Sequence, residues 1–298
     1  MSQIVAVFGA TGAQGAPVVR HALEGGMTVR AVARDEARIR NLHPEAEAHC
    51  ATLDDEEALV KALNGVDAAF LHLPMPQSPE DPGNWMKAFF AAAHRVSLPL
   101  LVFTTSGSSG NRYPSSVIID GSTAGMKAVL SSGIPAIVLQ PTIYLENLLV
   151  DVFLPRLRGE GVLDYPPLPA TQKMTWTSHE DQARIAVAAL TRPDLAGQNF
   201  EIGTPGAMTG PELAGLLEAW VGRSVTFDPC APEEFGQRIG EVLGSPETAF
   251  ALSDLYGALA KMEEGSLAIE TRPVEEVFGV RLTPVSEHVS GWAAASGN

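Results

Sequence analysis

At 298 residues, with 45% hydrophobic and 18% charged side chains, the chain can bury a large core, which excludes a disordered chain and a small stapled scaffold. A formal net charge of −15 argues against a broad nucleic-acid surface, because neutralising phosphates needs clustered Lys and Arg. The two cysteines, Cys50 and Cys230, match no metal-ligand or redox spacing, so both are expected as free thiols and no metal site is expected.

Met1-Ser2-Gln3 leads directly into an apolar run, without the charged and long apolar regions of a leader. No stretch approaches about 20 uninterrupted apolar residues, so a cytoplasmic protein without a membrane partner is expected. Short apolar runs at 4–8, 28–33, 47–50, 68–73, 100–104 and 136–139 read as strands, and the segments 16–24, 55–63, 84–95 and 123–131 between them read as helices. In the helix at 55–63, Leu59, Ala62 and Leu63 recur at helical spacing, Asp54 and Asp55 suit the cap, and Gly65 stops it. Such alternation marks a parallel sheet covered on both faces.

After about residue 142 the rhythm changes to helices at 148–158, 180–190, 210–221 and 246–262, with strands at 199–202 and 224–227. The fold class expected is therefore α/β: a Rossmann-type doubly wound parallel sheet over 1–150, with a smaller C-terminal α/β lobe for substrate or partner over 151–298. Some strands of that lobe can return to the first sheet. The tail at 293–298 is expected to fray.

The first apolar run enters Gly9-Ala10-Thr11-Gly12-Ala13-Gln14-Gly15, and a helix begins directly afterwards. Gly9 suits the tight bend, Gly12 the close approach of a pyrophosphate, and Gly15 the packing of helix on strand. The helix N-terminus adds free N–H groups and a positive dipole, so Gly9, Thr11, Gly12, Ala13, Gln14 and Gly15 are candidate cofactor contacts. A purely steric strand-to-helix turn would carry the same glycines; the flanking strand, helix and second strand favour nucleotide binding. The string Val7-Phe8-Gly9-Ala10-Thr11-Gly12-Ala13-Gln14-Gly15 resembles the opening of the NmrA-like family of atypical short-chain dehydrogenases.

Arg34 stands at the tip of the second strand, where an acid would bond the ribose 2′-hydroxyl of NAD and an arginine a 2′-phosphate. Two readings stand: Arg34, with Arg38, holds NADP(H) in preference to NAD(H), or Arg34 is solvated or paired with Asp35. The resemblance favours NADP, since the family shows a similar Val-Arg-x-x-x-Arg string. It places Thr52 and Leu53 beside the adenine, although Thr52 stands where an acid is common, and Leu73 and Pro74 beside the cofactor's middle. His72 is either a site residue or a packed, hydrogen-bonded strand histidine.

The run Thr104-Thr105-Ser106-Gly107 resembles the family's Ser-rich turn beside the nicotinamide, which makes Thr104 and Ser106 cofactor candidates; a plain strand-closing turn reads equally well. Gln140-Pro141-Thr142-Ile143-Tyr144-Leu145-Glu146-Asn147 is similar to the family's Arg-Pro-x-x-Phe-x-Glu-Asn, which puts Pro141 and Thr142 at the nicotinamide and Tyr144 in the cleft. Ser122 occupies the position where many relatives carry a lysine. Lys127, five residues on and about 500° further round a helix, faces elsewhere. The Tyr-x-x-x-Lys dyad that lowers a phenol's pKa is absent, since Tyr113 is followed at plus four by Val117. Tyr113 and Ser122 are nevertheless cleft candidates, as is Trp176, which with Met174 and Tyr165 forms either an apolar wall over the cofactor or interior packing.

The resemblance covers about residues 3–230 and implies an NADP(H)-dependent oxidoreductase that transfers hydride to a small apolar carbonyl, quinone or enone, as a monomer or homodimer. The alternative it offers is a non-catalytic NADP-sensing regulator that binds a protein partner.

Overall fold

The computed structural model describes residues 2–76 and 78–292, so the expected fraying of 293–298 lies outside the described residues. The six apolar runs form β1 (Ile4–Phe8), β2 (Thr28–Ala33), β3 (Glu47–Cys50), β4 (Ala68–His72), β5 (Leu101–Thr104) and β6 (Ala136–Pro141). The second half adds β7 (Ile143–Tyr144), β8 (Val162–Leu163), β9 (Trp176–Thr177), β10 (Asn199–Ile202) and β11 (Thr226–Phe227). The main sheet runs β10-β6-β5-β4-β1-β2-β3, with every pair parallel. Strand order reverses where Val5 pairs with Val29 on one side and Ala68 on the other. The loops leaving β1 and β4 diverge at that point, which opens a crevice at the carboxyl edge.

The helices are α1 (Gly15–Glu24), α2 (Glu36–Leu42), α3 (Glu56–Leu63), α4 (Asp81–Arg95), α5 (Val117–Leu130), α6 (Leu157–Glu160), α7 (His179–Ala189), α8 (Gly210–Val221), α9 (Pro232–Leu243), α10 (Pro246–Leu259), α11 (Arg272–Phe278) and α12 (Val285–Ser290). Side chains alternate across a strand, so Val5, Val7, Phe70 and Leu139 meet α1, α2, α7 and α11, while Ala6, Phe8, Leu71 and Val138 meet α3, α4 and α5. Coverage on both faces is why these strands read as unbroken apolar runs. Asp55 caps α3 by accepting from the Ala58 N–H, and Leu59, Ala62 and Leu63 are buried.

A separate core gathers Leu145, Tyr165, Trp176, Leu217, Phe235, Tyr256 and Val285 into the C-terminal lobe. The strand β10 lies outside that lobe, beside β6 in the main sheet, and α7 and α11 cover the sheet's face.

Three expected elements differ. The helix at 148–158 is broken into 3-10 turns at Leu145–Leu149 and Asp151–Phe153 followed by α6, because Pro155 has no N–H and keeps Leu154 out of the helical region. The strand at 224–227 shrinks to β11, which pairs only with the two residues of β8. The helix expected at 123–131 starts at Val117, where Ser116 accepts from the Ile119 N–H. Among the described residues no helix is long and apolar enough to cross a membrane, and no His, Cys, Asp and Glu cluster could hold a metal.

Candidate functional site

The glycine turn is built by sterics. Gly9 sits at φ +70°, and a Cβ there would lie 2.1 Å from Nε2 of His72. A Cβ on Gly15 would lie 2.3 Å from the Gly9 carbonyl oxygen, so only glycine lets α1 start against the strand. The Gly12 N–H donates to the Gly9 carbonyl at 2.9 Å and the Ala16 N–H to the Gly12 carbonyl at 2.9 Å. No acid in the first turn and no side-chain cap occupies the N-terminus of α1. His43, buried after α2, holds the turn from behind, its Nε2 lying 2.9 Å from the Ala10 carbonyl.

His72 packs at the end of β4 against the Gly9 bend. Its Nδ1 lies 3.4 Å from the neighbouring Leu73 carbonyl, and its buried Nε2 has no hydrogen-bond partner. Burial holds its pKa below the usual imidazole value. The N-terminus of α1 is free of side-chain competitors, which suits a bound anion, and the His72 ring packs against the back of the Gly9 bend.

At the next strand tip Arg34 is exposed and has no side-chain partner among the described residues. Pairing with Asp35 is not found, because the Asp35 carboxylate caps α2 by accepting from the Arg38 N–H at 3.0 Å. The Arg38 side chain is also exposed. Thr52 is exposed after β3 and Leu53 packs partly beneath it; after β4, Leu73 is half-buried and Pro74 exposed.

Beyond β5 a polar knot joins distant segments. The Tyr144 hydroxyl lies 2.9 Å from Gln14 Oε1 and 2.7 Å from Gln182 Oε1, and its single proton can serve only one of them. The Gln14 amide reaches Ser106 Oγ at 3.2 Å, and Thr104 Oγ1 accepts from the Ser106 N–H at 3.2 Å. Ser106 holds φ 59°, a left-handed conformation that costs a non-glycine residue about 1 kcal/mol or more. Burial pushes the Tyr144 phenol well above its ordinary value, so it is a donor and not a base near neutrality.

Beside the knot the His179 ring lies 4.4 Å from the Tyr144 ring, centroid to centroid. Glu146 Oε1 accepts from the His179 N–H at 3.0 Å, and its Oε2 lies 3.4 Å from His179 Nδ1. That approach is not an ion pair. Burial raises the Glu146 carboxyl to about 7 and lowers the His179 imidazole to about 4, so the ring is neutral at any pH where the carboxyl ionises.

Other expected residues lie elsewhere. Trp176 is 1% exposed and packs inside the lobe core with Tyr165 and Met174, so it forms no wall over the crevice. The Tyr113 hydroxyl bonds Glu201 of β10 and accepts from Arg112, both at 2.9 Å, away from the knot. Pro141 is buried at the end of β6, and the Thr142 side chain is held by Thr177 Oγ1 at 2.8 Å. Ser122 is half-buried on α5, and Lys127 on the same helix is exposed. Gln182, His179 and His43 carry no local signal in the sequence, whereas Glu146 is the acid of the Gln140–Asn147 string; Gln182 and His179 reach Tyr144 and Glu146 only because α7 packs back onto the sheet.

Strand order 3-2-1-4-5-6 with a glycine turn at its reversal defines a doubly wound Rossmann-type protein. The NmrA-like family model matches residues 1–288, and the chain belongs to that family. It is 30% identical over 298 residues to an NAD(P)H azoreductase of Xenophilus azovorans, covering 99% of both chains. It is 29% identical over 228 residues to a (4-alkanoyl-5-oxo-2,5-dihydrofuran-3-yl)methyl phosphate reductase of Streptomyces griseus subsp. griseus, covering 76% of each. The fold is shared with an NADPH-dependent quinone oxidoreductase from Escherichia coli complexed with NADPH, at TM-score 0.77 and 23% identity over 96% of this chain and 98% of that one.

Proposed function

We propose that the chain is an NADP(H)-dependent reductase of a small apolar acceptor: a quinone, an enone or a carbonyl. The observation that carries this reading is the glycine turn at the uncapped N-terminus of α1, on the same sheet edge as the Gln14–Tyr144 knot. Full-length likeness to an NAD(P)H azoreductase supports it. In this reading Gly9, Thr11, Gly12, Ala13, Gln14 and Gly15 receive the pyrophosphate, and Arg34 and Arg38 receive the 2′-phosphate. Thr52 and Leu53 line the adenine, Leu73 and Pro74 the middle, and Thr104, Ser106, Pro141 and Thr142 the nicotinamide end. The bound nicotinamide supplies hydride, and the protein orients the acceptor and excludes water. Exposed Met75 on the loop after β4, with Leu149 and Val150 at the end of the 3-10 turn after β7, supports an apolar acceptor.

The test is titration with NADPH and NADH by fluorescence, followed by a panel of quinones, enones, aldehydes and azo compounds. Binding of NADPH with oxidation by at least one class is expected. Tight binding without oxidation across the panel would favour a sensor that binds a protein partner, a reading to which the absent Tyr–Lys dyad and Ser122 lend weight.

A further inference from the structure

Hydride transfer to a quinone, enone or carbonyl leaves a basic oxygen or carbon that must take a proton, and Tyr113 is tied to Arg112 and Glu201. At the same sheet edge a buried acid has no assigned task. The Oε2 atom of Glu146 is sealed and has no hydrogen-bond partner, although a quarter of the side chain is exposed, and His179 Nδ1 stands 3.4 Å away. An oxygen sealed from water without a partner is costly for a carboxylate, and the ring nitrogen within reach, His179 Nδ1, accepts a proton from Oε2 in one tautomer and donates it back in the other. The His179 ring also packs against Tyr144, whose hydroxyl belongs to the Gln14 knot. The facing charged groups are few: Glu180 on α7, His288 on α12, which itself lies 3.1 Å from Asp181, and His72 on β4.

We propose that Glu146 and His179 form the proton-delivery pair of the reduction, with Glu146 the reservoir and His179 the relay into the crevice. The proposal rests on the reductase reading. In the step, the acceptor takes hydride, two electrons and one hydrogen nucleus, and its newly basic atom takes the proton from His179 Nε2. As that N–H bond breaks, the Glu146 O–H bond breaks and Nδ1–H forms. The pair is left as carboxylate and neutral imidazole of the other tautomer, and solvent returns one proton. Burial supports the assignment, since it keeps the carboxyl near 7, where it can both hold and release a proton.

The test has two arms. In steady-state kinetics, the wild-type rate is expected to fall as pH rises through about 7. Glu146→Gln is expected to bind NADPH with unchanged Kd, to lose about 10²-fold in kcat and to lose that limb of the profile. Glu146→Asp, which keeps an acid, should be intermediate and retain the limb. In infrared titration of the NADP+-bound protein, a protonated-carboxyl band is expected to vanish near pH 7, Glu146 being the one carboxyl so raised among the described residues. A Gln variant that binds NADPH and keeps the wild-type profile would overturn the proposal, and so would a wild-type protein in which no carboxyl titrates above the ordinary range. Failure of the reductase reading looks different: wild-type protein then oxidises no bound NADPH with any acceptor, and the proposal falls with it.

Discussion

Arg34 and Gly9 carry the two sharpest expectations at single positions. Arg34 projects from the strand tip without a partner, so a 2′-phosphate would gain charge-assisted bonds worth about 1.5–3 kcal/mol. Arg34→Ala is therefore expected to weaken NADPH binding by about tenfold or more while leaving NADH unchanged. Equal loss for both nucleotides, read by fluorescence titration, would remove the 2′-phosphate assignment. Gly9→Ala puts a methyl group into the His72 ring at a positive φ, and should cost about 1–3 kcal/mol in urea unfolding. Adding His72→Ala removes the clash and leaves only the backbone strain, so the double variant should recover part of that loss. Additive losses would mean that the ring and the turn do not touch. The glycine spacing was legible in the sequence because each glycine answers a local steric demand. The orphaned Nε2 was not, because it depends on β4 lying beside β1.

Between elements, the clearest tie is α1 to α7, where Glu180 meets both Arg20 and His21, the latter at 2.9 Å. The His21 and Arg20 hydrogen bonds hold the Glu180 carboxyl down at about 2, against 4.5 for a free one. A depressed carboxyl stabilises above its unfolded value and loses that contribution as pH falls from about 4.5 toward 2. His179 acts in the same direction at higher pH. Its imidazole, neutral down to about 4, makes folding less favourable as pH falls from 6.5. Glu146 has the opposite sign, since its raised carboxyl loses stability as pH climbs from 4.5 through about 7. Glu180→Gln should therefore lower stability by a constant amount above about 4.5, flatten the stability-versus-pH curve below it, and leave the slope near 7 unchanged. Denaturant unfolding at stepped pH measures this, and an unchanged acid limb would show that the bridge is solvent-screened. Helix boundaries were legible where a cap accompanied a long periodic run, as at Asp55. They were missed in α2 and α11, which are short, and in α9, where buried Phe235 and Ile239 sit among acids and glycines.

At the scale of the molecule, the first 150 residues do not complete their own sheet. β10 pairs with β6, and Ala183, Ile185 and Ile202 close the apolar face over Val5, Val102 and Leu139. A chain cut after residue 150 is expected to leave that face open, to bind hydrophobic dyes and to unfold without cooperativity. A cooperative, dye-free fragment would make the first half an autonomous domain. The sequence by itself determined the parallel sheet, the glycine turn and the family, because unbroken apolar runs and steric glycines are local consequences of burial and close approach. Only the tertiary structure decided that Trp176 packs in the lobe core and Tyr113 bonds Glu201, while Gln182, His179 and Glu146 gather beside Tyr144. Those side chains are brought together by the return of α7 over the sheet, and the spacing of residues along a chain does not encode which distant helix will cover a strand's end.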